Sequence, residues 1–211
     1  MRKQLLIIIA VTVSLLSLAF VASKATSFTL KDPKSVNSMR FTLDGRIEQF
    51  SGVATGIAGD FTFDPEDVAA TRGKIVVQAA SLATNVANMT EHMHGPMWLD
   101  TEKYPTIEFE IKKITNVKKL DMDDASWSMS VTGDFMLHGV KKSMTIPVRL
   151  THLPGQLRKR NRRAGDLIVL RSAFEIKRSD FGVIGNQTLD IVSDVVKIEF
   201  SIGSFARAAT K

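Results

Sequence analysis

Two histidines at alternate positions have the spacing in this chain that most suggests chemistry. His92 and His94 are separated by one methionine. On a β-strand alternate side chains face the same way and can begin a metal site, whereas on a helix they point apart. The neighbouring Met and Asn residues favour a helix or turn, and no cysteine or carboxylate cluster completes a ligand set. We therefore predict polar contacts here, with no metal and no cofactor.

Motifs of the common enzyme classes are absent from the sequence. It contains no G-x-S-x-G elbow, no H-E-x-x-H pair and no glycine-rich phosphate loop. It has no cysteine either, which excludes disulfides and a thiolate nucleophile. A Ser-His-Asp site stays open as an alternative, because such triads assemble from distant segments. The pattern favours a protein that is not an enzyme.

The N-terminal segment predicts export. Arg2 and Lys3 precede an apolar run from Leu5 to Ala22, and small residues follow around Ser23. This three-part pattern is typical of a secretory signal peptide, here residues 1–23. We expect cleavage and a periplasmic or secreted protein. The alternative is a membrane anchor that stays uncleaved, because the run approaches spanning length.

Beyond the signal, apolar and polar residues alternate along most segments, as in strands with one buried face. Ile107 and Phe109, for example, flank Glu108. The pattern predicts about eight antiparallel strands, one helix near residues 86–98 and a single domain. So many one-sided strands need a shared interior, which is a closed barrel or two facing sheets. Periodicity alone leaves open whether that interior is filled or hollow.

The apolar residues predicted to face the interior suit either a plain core or the wall of a lipid cavity. Twelve Phe against one Tyr fit both uses, because Phe adds area without a polar group. The candidate wall residues are Phe61, Phe63, Ile75, Val77, Ile107, Phe109, Ile111, Val131, Phe135, Ile146, Phe174 and Phe200. The candidate mouth residues are His92, His94, Met97 and Trp98.

A basic run lies in the segment from Pro154 to Gly165, which we expect to be a loop. Its cations are Arg158, Lys159, Arg160, Arg162 and Arg163. Such a run is usually a solvated loop tip. The alternative is docking to an anionic membrane surface. The formal net charge of +6 is compatible with anionic partners, but no nucleic-acid-binding motif is present.

Three blocks of sequence, in this order, resemble the YceI family of exported lipid- or polyisoprenoid-binding proteins. They are residues 97–109, 131–142 and 177–183, and the resemblance extends over roughly residues 27–203. The chain departs from the family pattern at Thr90 and Glu91, where members commonly carry an Arg-Asp pair.

The resemblance implies an all-β fold, an antiparallel eight-stranded lipocalin-like barrel with one short helix. It implies a barrel domain over residues 24–203, followed by a tail at 204–211. It further implies no enzymatic reaction and a polyisoprenoid, quinone or fatty-acid-like amphiphile in an apolar cavity, and it allows a homodimer. The alternative function is a non-catalytic domain with a filled core that acts on membranes or a partner through its basic loop.

Overall fold

The computed structural model describes residues 25–32, 34, 36–46, 49–185 and 192–206. The predicted signal peptide, residues 1–23, lies outside them. Within these ranges no helix has the length and apolar character needed to span a membrane.

The described part of the chain is mainly antiparallel strand. The strands are β1 (Thr26–Thr29), β2 (Ser38–Asp44), β3 (Gln49–Ala54), β4 (Ile57–Phe63), β5 (Arg72–Gln78), β6 (Leu82–Thr84), β7 (Thr106–Leu120), β8 (Ala125–Leu137), β9 (Val140–Leu153), β10 (Leu167–Lys177) and β11 (Val195–Ala206).

Eight of these strands close into a barrel. The ring runs β1–β4–β5–β7–β8–β9–β10–β11, and β11 pairs back onto β1 through Phe28 with Ala206. Each of the other three strands follows or precedes a strand of the ring in sequence and is separated from it by a short break in the strand structure. β2 pairs with β11 as β1 does, β3 leads into β4, and β6 follows β5. The predicted eight-stranded antiparallel barrel is confirmed.

Asn37 organises the interruption between β1 and β2. Its side chain is buried, and its Nδ2 donates hydrogen bonds to the carbonyl oxygens of Leu30 (3.1 Å) and Gly203 (2.7 Å). Gly203 N donates to Asn37 Oδ1 at 2.8 Å. These bonds satisfy backbone groups that a continuous ladder would otherwise pair. The chain can therefore bend here without leaving buried polar groups unpaired.

Two short α-helices accompany the barrel in the described ranges. α1 (Ala87–His94) falls within the predicted helix at 86–98. α2 (Leu157–Asn161) lies where the sequence predicted a loop, so that expectation was wrong. The segment forms a helix because Leu157 packs against Leu167 and Phe205, and the helix ends at Arg162 in the left-handed conformation (φ 63°).

Aromatic rings fill one end of the barrel, which we call the packed end and define by Phe28, Phe61, Phe63, Trp127 and His152. The Phe28 and Phe61 rings stack with centroids 5.6 Å apart. Phe63 meets Trp127 at 5.7 Å and His152 at 5.3 Å, edge to face. His152 is also held by Asp166, whose Oδ2 lies 3.1 Å from its Nε2. This end is a solid core.

The last strand includes part of the predicted tail. β11 continues to Ala206, and both Ser204 and Phe205 are buried. The Ser204 hydroxyl donates to the carbonyl of Ile168 at 3.1 Å. The barrel therefore takes in three residues of the segment that the resemblance assigned to a tail, and residues 207–211 lie outside the described ranges.

Candidate functional site

The half of the barrel opposite the packed end encloses a cavity of about 630 Å³. This volume lies within the range of small-molecule sites in proteins, about 300–1,000 Å³. Its walls come from the inward faces of the strands and from one face of α1. The interior is therefore hollow at one end and filled at the other.

Strand register shows how the sequence builds the wall. Ile75 of β5 lies opposite Phe109 of β7, which lies opposite Phe135 of β8. All three line the cavity. Because alternate residues of a strand face the same side, the apolar members of each alternating row point inward together.

Eight of the twelve predicted wall residues line the cavity. They are Ile75, Val77, Ile107, Phe109, Phe135, Ile146, Phe174 and Phe200. The other four face the interior at the filled end or at the boundary with it: Phe61, Phe63, Ile111 and Val131. These four residues differ from the other eight in their position along the barrel. The alternation of apolar and polar residues predicts which side chains face inward, but it does not predict their position along the barrel.

Sequence reasoning omitted 15 of the 24 apolar wall residues. Most of the missing residues belong to alternating rows like those that were selected, so the same signal could have identified them. Met89 and Met93 carry a different signal, a helical spacing of four residues. The additional apolar wall residues are Met39, Phe41, Leu43, Phe50, Ala54, Leu82, Met89, Met93, Leu99, Leu137, Ile176, Val183, Val192, Val196 and Ile198.

Helix α1 borders the opening of the cavity. All eight of its residues are described, and none is buried. Met89, His92 and Met93 share the face that lines the cavity. Thr90 and His94 fasten the helix to β6: Thr84 N donates to Thr90 Oγ1 at 2.9 Å, and His94 Nε2 lies 2.7 Å from the Leu82 carbonyl oxygen.

The four predicted mouth residues have different positions. His92 and Trp98 line the cavity, and His92 is exposed to solvent as well. His94 is bonded to the backbone of β6 instead. Met97 is 58% exposed and is not part of the wall. Thr90, one of the departures from the family pattern, anchors the helix rather than facing the cavity.

Arg178 is the one buried cation among the described wall residues, and sequence reasoning did not select it. Its guanidinium donates to the carbonyl oxygens of Ser193 (3.0 Å), Val183 (2.9 Å), Val192 (2.9 Å) and Ile184. It also lies over the Trp98 ring. Because its N–H groups are committed to the backbone, Arg178 shapes the wall rather than offering a free charge to a ligand.

Asp194 supports this arrangement electrostatically. Its Oδ1 accepts a hydrogen bond from Ser179 N (2.9 Å), and its Oδ2 accepts one from Ser179 Oγ (2.7 Å). Burial acts to raise the pKa of Asp194, but these hydrogen bonds and the charges of Arg178 and Lys177 outweigh it and hold the pKa below its ordinary value. Burial lowers the pKa of Arg178, and Asp194 opposes that shift. The Asp194 carboxylate and the Arg178 guanidinium therefore each favour the charged form of the other.

The three blocks that carry the family resemblance meet beside the cavity. The Tyr104 ring packs edge to face on His138 with centroids 4.4 Å apart. His138 Nδ1 lies 3.2 Å from the carbonyl oxygen of Phe181. Gly139 (φ 74°) leaves room for the Tyr104 ring, because a Cβ there would lie 2.6 Å from Tyr104 Cε1. The blocks thus build one structural junction at the hollow end.

The basic run lies at the opposite end of the barrel. α2 follows β9 and precedes β10, next to the end of β11, whereas α1 and the opening lie at the other ends of these strands. Arg160 turns inward, with its Nη2 2.7 Å from Asp32 Oδ2 and its guanidinium 5.3 Å from the Phe205 ring centroid. It is therefore a structural residue rather than part of a membrane-facing surface. Arg158, Lys159, Arg162 and Arg163 are exposed.

No group of three or more His, Asp or Glu side chains that could hold a metal occurs in the described residues. The two histidines of α1 are directed to different places, one to the cavity and one to β6. Their arrangement provides polar contacts at the opening.

A family model described as YceI-like domain matches residues 23–203. A UPF0312 protein of Vibrio parahaemolyticus is 33% identical over 104 residues, 49% of this chain and 48% of the relative. Protein YceI of Escherichia coli is 37% identical over 92 residues, 44% of each. In both alignments the chain spans just under half of the relative's length.

Solved structures share the fold. Burkholderia cenocepacia BcnA superposes with a TM-score of 0.64 at 20% identity, covering 79% of this chain and 95% of that chain. A polyisoprenoid binding domain from Saccharophagus degradans gives 0.61 at 12% identity, covering 87% and 100%. At these identities the likeness concerns the architecture of the barrel.

Proposed function

This chain belongs to the YceI-like domain family, and on that premise we propose that it is a lipid-binding protein. It holds the apolar chain of a polyisoprenoid, quinone or fatty-acid-like amphiphile inside the barrel. The observation that carries the proposal is the cavity of about 630 Å³ with a mainly apolar wall, bordered at its opening by α1. The Saccharophagus degradans domain, which has the same fold and is described as polyisoprenoid binding, supports it.

The chemistry of the wall selects an apolar occupant. Its polar side chains are Arg40, Thr84, His92, Glu108 and Arg178. Glu108 is paired with Lys74 at 2.6 Å, Thr84 Oγ1 bonds to Val86 O at 2.8 Å, and Arg178 is committed to backbone carbonyls. Burying a hydrocarbon in such a wall contributes about 0.8 kcal/mol per methylene before ordering costs.

The head group of the lipid lies at the opening in this proposal. His92 shares its helical face with Met89 and Met93, and it is the exposed polar side chain on that face. An imidazole can donate one hydrogen bond and accept another when neutral. A hydroxyl, carbonyl or carboxyl group is matched by these contacts.

The arrangement of polar groups in the cavity wall suits binding of a ligand rather than catalysis. The polar groups of the wall are distributed around it, and no nucleophile with an adjacent base faces the cavity within the described ranges. Export through residues 1–23 and a periplasmic or secreted location remain predictions from sequence.

The alternative of a filled core acting through the basic loop is supported less well. This alternative assumes a filled core, but only the packed end is filled, since the other half of the barrel is hollow. Docking of Arg158, Lys159, Arg162 and Arg163 to an anionic membrane remains a prediction, as does a homodimer.

The test measures the affinity of delipidated protein for a fluorescent long-chain fatty acid. It compares the parent protein with a variant in which a larger side chain fills the cavity. Ala54 lines the cavity, whereas its neighbour Val53 points outward and is 40% exposed. Ala54→Phe should weaken binding at least tenfold, because the added ring occupies space that the lipid needs.

Val53→Phe is the matched control and should bind as the parent protein does. Native mass spectrometry of the parent protein before delipidation should reveal a bound lipid. Equal affinities of the two variants, or no uptake of any long-chain probe by folded protein, would count against the proposal.

A further inference from the structure

On β5, β7 and β8 the cavity wall ends part-way along the barrel, and strand register identifies the level at which it ends. On β9 the wall reaches Ile146, which lies opposite Val131 of β8. Ile75, Phe109 and Phe135 form one level across β5, β7 and β8, and all three line the cavity. They are the deepest wall residues on these three strands.

The next inward-facing level contains Gly73 of β5, Ile111 of β7 and Gly133 of β8. Phe61 of β4 lies opposite Gly73, and this level is no longer part of the cavity wall. A Cβ at Gly73 would lie 2.4 Å from the Phe61 Cβ, so Phe61 packs directly against the bare backbone of β5. The glycine allows the phenyl ring to close the interior at this level.

Phe61 is held firmly in place. Its ring stacks on Phe28 at 5.6 Å with an interplanar angle of 13°, and Phe28 in turn contacts Phe63 edge to face at 6.3 Å. Phe28 and Phe63 are each 1% exposed. A close-packed core of this kind gives little room for the ring to swing aside.

The volume of the cavity limits what fits above this level. A cavity of about 150 Å³ holds one benzene molecule, so about 630 Å³ corresponds to roughly 25 carbon atoms, or about five isoprene units. A longer chain exceeds the volume of this cavity.

We infer that Phe61 sets the length of lipid chain that this barrel accepts. The site takes a single chain of up to about five isoprene units or an equivalent straight chain, and any remainder of a longer chain stays outside in water. This inference rests on the proposed lipid-binding function. It adds a substrate class, lipids of limited chain length, and names a residue that determines it.

The experiment measures affinities of the delipidated full chain for geraniol, farnesol, geranylgeraniol and the hexaprenyl and octaprenyl alcohols. Affinity should rise at least about tenfold per isoprene unit up to geranylgeraniol, because each unit buries more apolar area. Beyond the limit, each further unit should change affinity less than about twofold, because it stays in water.

Three variants test the role of Phe61. Phe61→Ala frees the volume of one phenyl ring and should extend the rise as far as the hexaprenyl alcohol, whereas Ile75→Phe should end it earlier by filling the deepest wall level. Phe63→Ala, two residues along the same strand and farther from the cavity, should leave the limit where it is. Thermal melting shows that each variant is folded.

The outcomes are distinguishable. If no prenol binds to folded protein, the proposed function fails. If affinity rises steadily through the octaprenyl alcohol, lipid binding stands and the length limit is wrong. If Phe61→Ala and Phe63→Ala have the same limit as the parent protein while Ile75→Phe shortens it, the limit exists but Phe61 does not set it.

Discussion

The guanidinium of Arg178 lies 5.1 Å from the centroid of the Trp98 ring. This contact joins the first and last of the three sequence blocks that identify the family. It also places the only buried arginine of the described chain, 2% exposed, against an aromatic wall residue. Arg178 therefore ties the backbone at Val183 and Val192 to the Trp98 side of the cavity wall.

Replacing Arg178 by lysine should destabilise the protein. A lysine has three donors on one nitrogen and cannot serve the separate carbonyls that the guanidinium reaches, so several would remain buried and unpaired. We expect a loss of about 3 kcal/mol in the free energy of unfolding, measured with urea. The exposed neighbour Lys177 is the control, and Lys177→Ala should change stability by less than about 0.5 kcal/mol. Similar stabilities for the two variants would contradict the structural role of Arg178.

The two tryptophans should respond differently to a ligand. Trp98 lines the cavity, whereas Trp127 lies in the packed end. Lipid uptake should therefore change the fluorescence emission of Trp98 and leave that of Trp127 almost unchanged. Trp127→Phe should retain the ligand-dependent change, and Trp98→Phe should lose it. A change that survives in Trp98→Phe would place the ligand elsewhere.

A charge on the inner face of α1 should weaken lipid binding without unfolding the barrel. Met93 lines the cavity but is only half-buried, so an aspartate there remains partly solvated. Met93→Asp should reduce affinity for a long-chain fatty acid at least tenfold, because the carboxylate must be desolvated when the chain enters. Asn88→Asp, at an exposed position on the same helix, is the matched control. If both variants bind equally, α1 does not border the entry route.

The basic run should divide into structural and surface cations. Arg160 is paired with Asp32, whose side chain is only 3% exposed. Arg160→Ala should therefore lower the free energy of unfolding by about 2 kcal/mol. Arg158→Ala removes an exposed cation from the same helix and should change it by less than about 0.5 kcal/mol. Equal losses in chemical denaturation would show that the ion pair contributes nothing specific.

The same ion pair predicts a loss of stability in acid. Burial acts to raise the pKa of Asp32, but hydrogen bonds from the N–H groups of Lys34 and Val36 and the charge of Arg160 outweigh it and hold the pKa below 3.8, its ordinary value. A carboxyl whose pKa is lower in the folded state stabilises the fold above its unfolded pKa and loses that contribution as the pH falls through the folded value. Asp32→Asn should therefore be less stable near neutral pH and decline less below about pH 4. Parallel pH profiles of the two proteins would contradict this.

Sequence patterning predicted the barrel because one-sided strands require a common interior. It also placed α1, because the Met and Asn residues around the two histidines favour a helix. It missed α2 because five cations in six residues resemble a loop, and the stabilising contact of Leu157 with Phe205 is long-range. It could not separate Ile75 from Ile111, since both belong to alternating apolar rows. What distinguishes them is whether Phe61 fills the interior at their level, and that depends on the register of β4 with β5.

The opening beside α1 and the basic helix α2 lie at opposite ends of β8, which spans 13 residues, or roughly 40 Å of strand. A molecule resting on an anionic bilayer through Arg158 and Lys159 would direct its opening toward the aqueous phase. Loading from that bilayer would then require release and reorientation, whereas handover to a soluble acceptor could take place without detachment. If such docking occurs, attachment and lipid exchange would take place at opposite ends of the barrel.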